Sequence, residues 1–288
     1  MNVFRGEPLI DIVRWIESAD DIVFAVLDPD RGAGCYAGEL VDGYVHRPWR
    51  VWIDLAERMG LRMMTPRVAE PPLVELRFER LGPRWQPRGE ASERYGVGSG
   101  FDRIHKLEDP GFLIDLDEAL ARVALVPGAR VLDLGCNTGD VLSRMPAGAA
   151  LVGVDHSASA LAVARERLPQ AELVQADVTA LPPLGRFDLV VAIGLLQSGA
   201  LDDRALVRHV VQELLAPRGA VIFGWPNCRY VDGEVEYGAR VKNLREPELG
   251  LVVKDVAFYR KYLGQHRRQV FVTGKHYLLA TAIAWPLE

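Results

Sequence analysis

Three carboxylates, Asp133, Asp155 and Asp177, each close an apolar run, and the first passes straight into a turn bounded by glycines. The run Val131-Leu132-Asp133-Leu134 continues as Gly135-Cys136-Asn137-Thr138-Gly139-Asp140. Gly135 and Gly139 allow the backbone to bend sharply and to approach a ligand with no Cβ in the way. Asp155 ends the next run, Leu151-Val152-Gly153-Val154, and stands 20 residues beyond Gly135. At that spacing a carboxylate on a neighbouring strand tip can accept both hydroxyls of a ribose. These residues therefore suit the capture of a nucleoside-bearing ligand.

The elements that must position them follow from hydrophobic periodicity. A third apolar run, Ala171 to Val178, carries Asp177, and a fourth, Phe187 to Ile193, ends at Gly194. Helical patterns fill the gaps at Ala158 to Leu168 and Asp203 to Leu215, and the glycine turn is expected to open a helix of its own. Repeated strand–helix units predict a parallel, doubly wound sheet whose ligands sit at the carboxyl ends of its strands, where the acids fall. A fifth strand is expected at Ala220 to Trp225 and a helix at Leu251 to Leu263. Strands at Gln269 to Thr273 and His276 to Ala284, joined by a tight turn at Gly274-Lys275, should close the sheet as an antiparallel pair.

From about Leu120 to the C-terminus, the sequence resembles the class I S-adenosylmethionine-dependent methyltransferases. The segment Asp133-Leu134-Gly135-Cys136-Asn137-Thr138-Gly139 is similar to that family's first motif. Asp155 is similar to its ribose-binding acid, and Asp177-Val178 to the pair that reads adenine. Leu214-Leu215-Ala216-Pro217-Arg218-Gly219 resembles the Leu-x-Pro-Gly-Gly turn before strand five. The resemblance implies a Rossmann-like α/β fold with a seven-stranded sheet and S-adenosyl-L-methionine as cofactor. The implied cofactor-binding set is Asp133, Gly135, Cys136, Asn137, Gly139, Asp155, His156, Asp177, Val178, Ile193, Gly194 and Arg103. Two positions depart from the pattern. Asn137 replaces the middle glycine, but asparagine tolerates left-handed backbone angles well. Arg218 replaces a glycine of the later turn, with Gly219 still available.

Other chemistries fit less well. The glycine run is Gly-x-x-x-Gly, not the Gly-x-Gly-x-x-Gly of dinucleotide-binding dehydrogenases. Six dispersed histidines offer no metal-ligand spacing, Val97 stands where a nucleophile elbow needs glycine, and Gly194-Leu195-Leu196-Gln197 is no Asn-Pro-Pro-Tyr signature. The chain of 288 residues is 49% hydrophobic with a net charge of −5, which exerts no overall pull on nucleic acid or anionic lipid. Three cysteines without a disulfide framework, together with no signal peptide and no long apolar span, lead to the expectation of a cytoplasmic protein free of membrane.

The expected division is a small N-terminal α/β attachment at 1–90, a linker or lid at 91–119 and the methyltransferase domain at 120–288. Within the attachment, Pro8 to Ser18 and Pro48 to Met59 read as helices, and Asp21 to Leu27 and Leu73 to Phe78 as strands. Trp49, Trp52 and Leu55 read as core rather than as an aromatic cage. A proline- and glycine-rich linker is expected at Gly82 to Glu90. In the lid, Phe101, Arg103 and Lys106 lie near three alternate glycines, and Arg103 is expected to pair with the cofactor's carboxylate. An insertion at 226–250, rich in polar and aromatic residues such as Arg240, Lys242 and Asn243, is the expected acceptor-recognition segment. Its Asn227, Arg229 and Tyr230, with Gln197 and Trp225, form the expected substrate-binding set. His105, His276, Glu234 and Tyr237 could each act as a base, and nothing in the sequence selects one. The expected acceptor is a small molecule. RNA, drawn to the basic stretch from Lys254 to Lys275, is the alternative acceptor, and a non-catalytic cofactor-binding module is the alternative function.

Overall fold

The computed structural model describes residues 1–82, 96–99, 103–198, 201–237 and 251–286. The expected linker at 83–90, Phe101 of the lid, and Arg240, Lys242 and Asn243 lie outside the described residues, as does the side chain of Arg229. The chain divides into two units: Met1–Trp85 with Arg229–Gly238, and Gln86–Cys228 with Ala239–Glu288.

The second unit is built on strands β1 (Arg130–Leu134), β2 (Ala150–Asp155), β3 (Glu172–Gln175), β4 (Phe187–Ile193), β5 (Leu215–Pro226), β6 (Arg268–Thr273) and β7 (Tyr277–Ala284). Their spatial order is β3-β2-β1-β4-β5-β7-β6, parallel except for β7, which runs antiparallel to both β5 and β6. This is the α/β, Rossmann-like, seven-stranded architecture expected from the sequence, including the closing antiparallel pair. The helices are α1 (Pro110–Val123), α2 (Ala158–Arg167), α3 (Asp203–His209) and α4 (Leu251–Gln265). The sheet is buried on both faces, so β1, β2 and β4 read as near-continuous apolar runs. Leu132, Val154, Val190, Val221 and Phe223 form the centre of the core. Asp109 caps α1 by accepting from the N–H groups of Gly111 (2.8 Å) and Phe112 (3.1 Å), and Ser157 caps α2 through Ala160 (3.2 Å).

Two local expectations change. No α-helix follows the glycine turn. The connection from β1 to β2 holds only a single 3-10 turn, Leu142–Arg144, because Pro146 stops helical propagation and Ala150 already begins the next strand. The Leu-x-Pro-Gly-Gly-like segment is not a separate turn before strand five but part of β5. Phe187 pairs with Leu215 and Leu189 with Ala220, so Ala216 to Gly219 are absorbed as a bulge. At this end of the sheet, arginines cap carbonyls that the ladder leaves open. Arg186 donates to Leu215 (2.6 Å) and Gln212 (2.9 Å), Arg130 to Arg186 (2.8 Å), and Arg268 to Pro217 (2.8 Å).

In the first unit, strands Asn2–Val3, Ile22–Leu27, Leu73–Arg80 and Leu61–Met63 form a sheet in that order, and Arg67–Val68 also pairs with Leu73–Arg80. Helices Leu9–Ser18 and Trp49–Met59 bury Ile12, Ile16, Trp52 and Leu55 against Phe24, Leu76 and Phe78. Phe24 is the hub, with ring centroids of Phe4, Trp15, Trp52 and Phe78 between 5.2 and 5.8 Å away. Trp52 is therefore core. The strand pair Cys228–Val231 and Glu234–Tyr237, which sequence reading placed inside the catalytic domain's insertion, largely belongs to this unit. Arg62 donates to Glu234 Oε1 (3.1 Å) and to the Asp232 carbonyl (2.6 Å), and helix Trp49–Met59 packs on Glu234–Tyr237. Among the described residues no helix is long and apolar enough to cross a membrane.

Candidate functional site

The glycine turn is locked to the neighbouring strand tip. Gly135 (φ 74°), Asn137 (φ 49°) and Gly139 (φ 82°) all adopt left-handed angles, so asparagine does occupy the conformation that the missing glycine would have taken. The Gly135 and Cys136 amides donate to the Val154 carbonyl at 2.8 and 3.1 Å, and the Asn137 amide donates to Asp155 Oδ2 at 2.9 Å. At Gly139 close packing crowds a larger residue, whereas at Gly135 the left-handed angle is the constraint. A Cβ on Gly139 would stand 2.8 Å from Leu168, and one on Gly135 would stand 3.5 Å from Leu195. From α2, Arg167 reaches Asp140 (2.6 Å) and the Thr138 carbonyl (3.1 Å), clamping the far side of the turn.

The acids occupy three adjacent strand ends. Asp133 pairs in register with Gly153 of β2, and Asp155 with Gln175 of β3, two residues before Asp177. Asp133 is 2% exposed, and burial pushes its carboxyl up to about 7, against the pull of Lys106 and with a further push from Asp155 and Asp140. Asp155 is buried, and its Oδ1 accepts from the Ser157 amide (2.9 Å) with His156 Nδ1 at 3.4 Å. Asp177 is exposed and is held below the usual carboxylate range by hydrogen bonds from the Thr179 amide and hydroxyl. Val178 packs against the core.

A cleft opens at Asp133 and the glycine turn, lined by Ile104, Lys106, Asp133, Gly135, Cys136, Asn137, Thr138, Asp140, Val141 and Ile193, with Asp155 and Asp177 outside that lining. Cys136 is 4% exposed, and burial together with Asp133 and Asp155 pushes its thiol up, which disfavours the nucleophilic thiolate. Lys106 carries the cation of the cleft lining. Its ammonium lies 5.9 Å from the Tyr277 ring centroid and 3.9 Å from the point a Cβ on Gly194 would occupy. Burial pushes that ammonium's pKa down, while Asp133 and Asp140 pull it up. Arg103, the residue expected to serve the cofactor, is exposed and is not among the cleft-lining residues. Gln197 comes to the same corner, its Nε2 also 3.9 Å from that point, and its enclosed Oε1 lacks a hydrogen-bond partner among the described residues.

The expected acceptor residues are scattered. Trp225 is 2% exposed and stacks on Tyr259 at 5.1 Å inside the core, so it presents no open face. Asn227 spends its side-chain amide on the Lys275 carbonyl (3.0 Å). Tyr230 lies in the strand pair that groups with the first unit. Of the candidate bases, His276 is held by Asp109 (3.1 Å), Glu234 is held by Arg62, and His105 is exposed. The sequence reading noticed Lys106 but did not select it, and it missed Arg167 altogether. Ser157, two residues after Asp155 and three before Ala160, carried a legible capping signal.

Comparison with known proteins gives a domain-level match. A family described as "Methyltransferase domain" matches residues 131–219, from β1 into β5. The trans-aconitate 2-methyltransferase of Azoarcus sp. (strain BH72) is 39% identical over 113 residues, which is 38% of this chain and 44% of that protein. The enzyme of the same name from Methylobacterium nodulans is 37% identical over 137 residues, 43% of this chain and 52% of its own length. The chain thus spans about half the length of these relatives. Among solved structures, magnesium protoporphyrin IX methyltransferase from Synechocystis PCC 6803 with bound S-adenosylmethionine aligns at 18% identity. That alignment has a TM-score of 0.45 and covers 70% of this chain and 100% of that one. Residues 131–219, which carry the glycine turn and the three strand-tip acids, are thus similar to a methyltransferase domain.

Proposed function

We propose that the protein transfers the methyl group of S-adenosyl-L-methionine to a small-molecule acceptor in the cytoplasm. The observation that carries the reading is the rim of Asp133, Asp155 and Asp177 on adjacent strands, beside a left-handed turn pinned to Asp155. In this reading Asp155 receives the ribose hydroxyls, and Asp177 with Val178 reads adenine. Asp133 takes the α-ammonium, and Gly135, Asn137 and Gly139 allow close backbone approach. Cys136 and Ile193 wall the cleft, and in this reading His156 beside Asp155 and Gly194 near Lys106 complete the set.

When bound, the cofactor supplies an electrophilic methyl group on a sulfonium. Asp133, Asp155, Asp177 and the glycine turn would hold it, and the chemistry it would supply is a methyl carbon open to an acceptor lone pair, with the S–CH3 bonding electrons staying on sulfur. The chain's contribution is alignment and exclusion of water, which is worth about 7 to 11 kcal/mol when geometry is well held. Two observations support a small acceptor: the acidic pI of about 5.8 and the relatives named for trans-aconitate. Gln197, with an unfilled acceptor oxygen, is the best-supported acceptor-side residue. Trp225 and Asn227 drop out because packing and Lys275 already use them.

Calorimetry and radiolabelling test the reading in sequence. Purified protein should give binding heat with S-adenosylmethionine and with S-adenosylhomocysteine, and no heat with either overturns it. Incubation with methyl-labelled cofactor and fractionated cell extract should place label in the small-molecule fraction. Label in RNA would replace the acceptor class, and cofactor binding without transfer to any fraction would mark a non-catalytic module.

A further inference from the structure

The cofactor named above ends in a zwitterion, an α-ammonium beside an α-carboxylate. A buried acid alone matches only half of it. Lys106 lines the same cleft as Asp133, close enough that each shifts the other's titration. Its ammonium lies 5.9 Å from the Tyr277 ring centroid and 3.9 Å from the point a Cβ on Gly194 would occupy. Gln197 reaches the same corner with its donor Nε2, 3.9 Å from the position a Cβ on Gly194 would take, while its enclosed Oε1 is an acceptor suited to an N–H group and not to the carboxylate. The cation belongs to a short segment, a 3-10 turn at Lys106–Glu108 that leads directly into the Asp109 cap of α1. Asp109 also holds His276, the residue just before the strand that begins with Tyr277, so the segment after Lys106 is tied to the element that carries that ring.

On the reading given under Proposed function, we infer that Lys106 pairs with the cofactor's α-carboxylate, with Asp133 taking the α-ammonium. The role expected for Arg103 thus falls three residues later, to the side chain inside the cleft. The alternative, in which Lys106 merely fills the empty cleft as a counter-ion to Asp133, makes the opposite prediction, since its removal would then ease cofactor entry.

The test compares S-adenosylmethionine with decarboxylated S-adenosylmethionine, which keeps the sulfonium and the terminal ammonium but lacks the carboxylate. Calorimetric titrations would use wild type, Lys106→Met and Lys106→Arg, with Arg103→Ala alongside. We expect Lys106→Met to weaken S-adenosylmethionine by at least about tenfold, the usual effect of losing a charged hydrogen bond. It should leave the decarboxylated compound within about twofold, and Lys106→Arg should restore most of the difference. Arg103→Ala should bind both as wild type does. Equal weakening of both compounds, no change in either, or tighter binding by Lys106→Met would overturn the inference. If Lys106→Met does not fold, the ratio of the two affinities in Lys106→Arg and Lys106→Gln decides in its place. Failure of wild type to bind either compound would sink the cofactor reading itself, and this inference with it.

Discussion

Asp133 sits in a buried position that favours its neutral form, and this has a consequence for stability without ligand. Its folded pKa of about 7 lies above that of an unfolded aspartate, so between pH 4 and 7 the folded state keeps a proton that the unfolded chain releases. This group's contribution is therefore fully present below about pH 4, declines as pH rises, and levels off above 7. Asp133→Asn removes the dependence. The melting temperature of the variant relative to wild type should climb from pH 5 to pH 7 and then stay flat, and a constant difference would contradict the assignment. The residue scale also shows what sequence can convey. The spacing of Asp133, Asp155 and Asp177 and the tolerance of Asn137 were legible because strand tips and left-handed turns restrict residue type locally. The choice between Arg103 and Lys106 was not. It depends on which of two cations three residues apart faces inward across a turn, and the groups around that cation, Asp133, Gly194 and Tyr277, lie far along the chain.

At the level of elements, the periodic runs revealed all seven strands and the antiparallel close, because apolar repetition with β-branched residues reports burial directly. The short connection after the glycine turn was misread as helical. A strand–turn–helix rhythm is the usual one, and here Pro146 and the early start of β2 override it. The clamp on that connection comes instead from Arg167 and Leu168 at the far end of α2, which nothing in the local sequence signals. Gly139→Ala tests the clamp, since the substitution demands both a left-handed alanine and displacement of buried Leu168. A loss of about 1 to 2 kcal/mol in urea unfolding is expected, with weaker cofactor binding. The carbonyl-capping arginines at the opposite edge give part of the 29 arginines a structural use, one that composition alone could not separate from genome bias.

The whole molecule departs most from its sequence reading in how the chain is apportioned. Residues after β5 looked like an insertion of the catalytic sheet because they are contiguous with it, yet Arg229–Gly238 is counted with the N-terminal unit. Pairing partners 170 residues apart, such as Arg62 and Asp232, leave no local trace. Arg62→Ala should therefore speed amide exchange at Val231 to Tyr237 while leaving β1 to β4 protected, and unchanged exchange would mean that backbone pairing alone holds the strand pair. Because the first unit is stitched from two stretches of polypeptide, its ancestry and its engineering share one constraint. A single crossover that exchanges the leading 80 or so residues for those of another protein would deliver a sheet without its matching ribbon, and would leave the original ribbon stranded on a foreign host. Productive chimeras must move both stretches together.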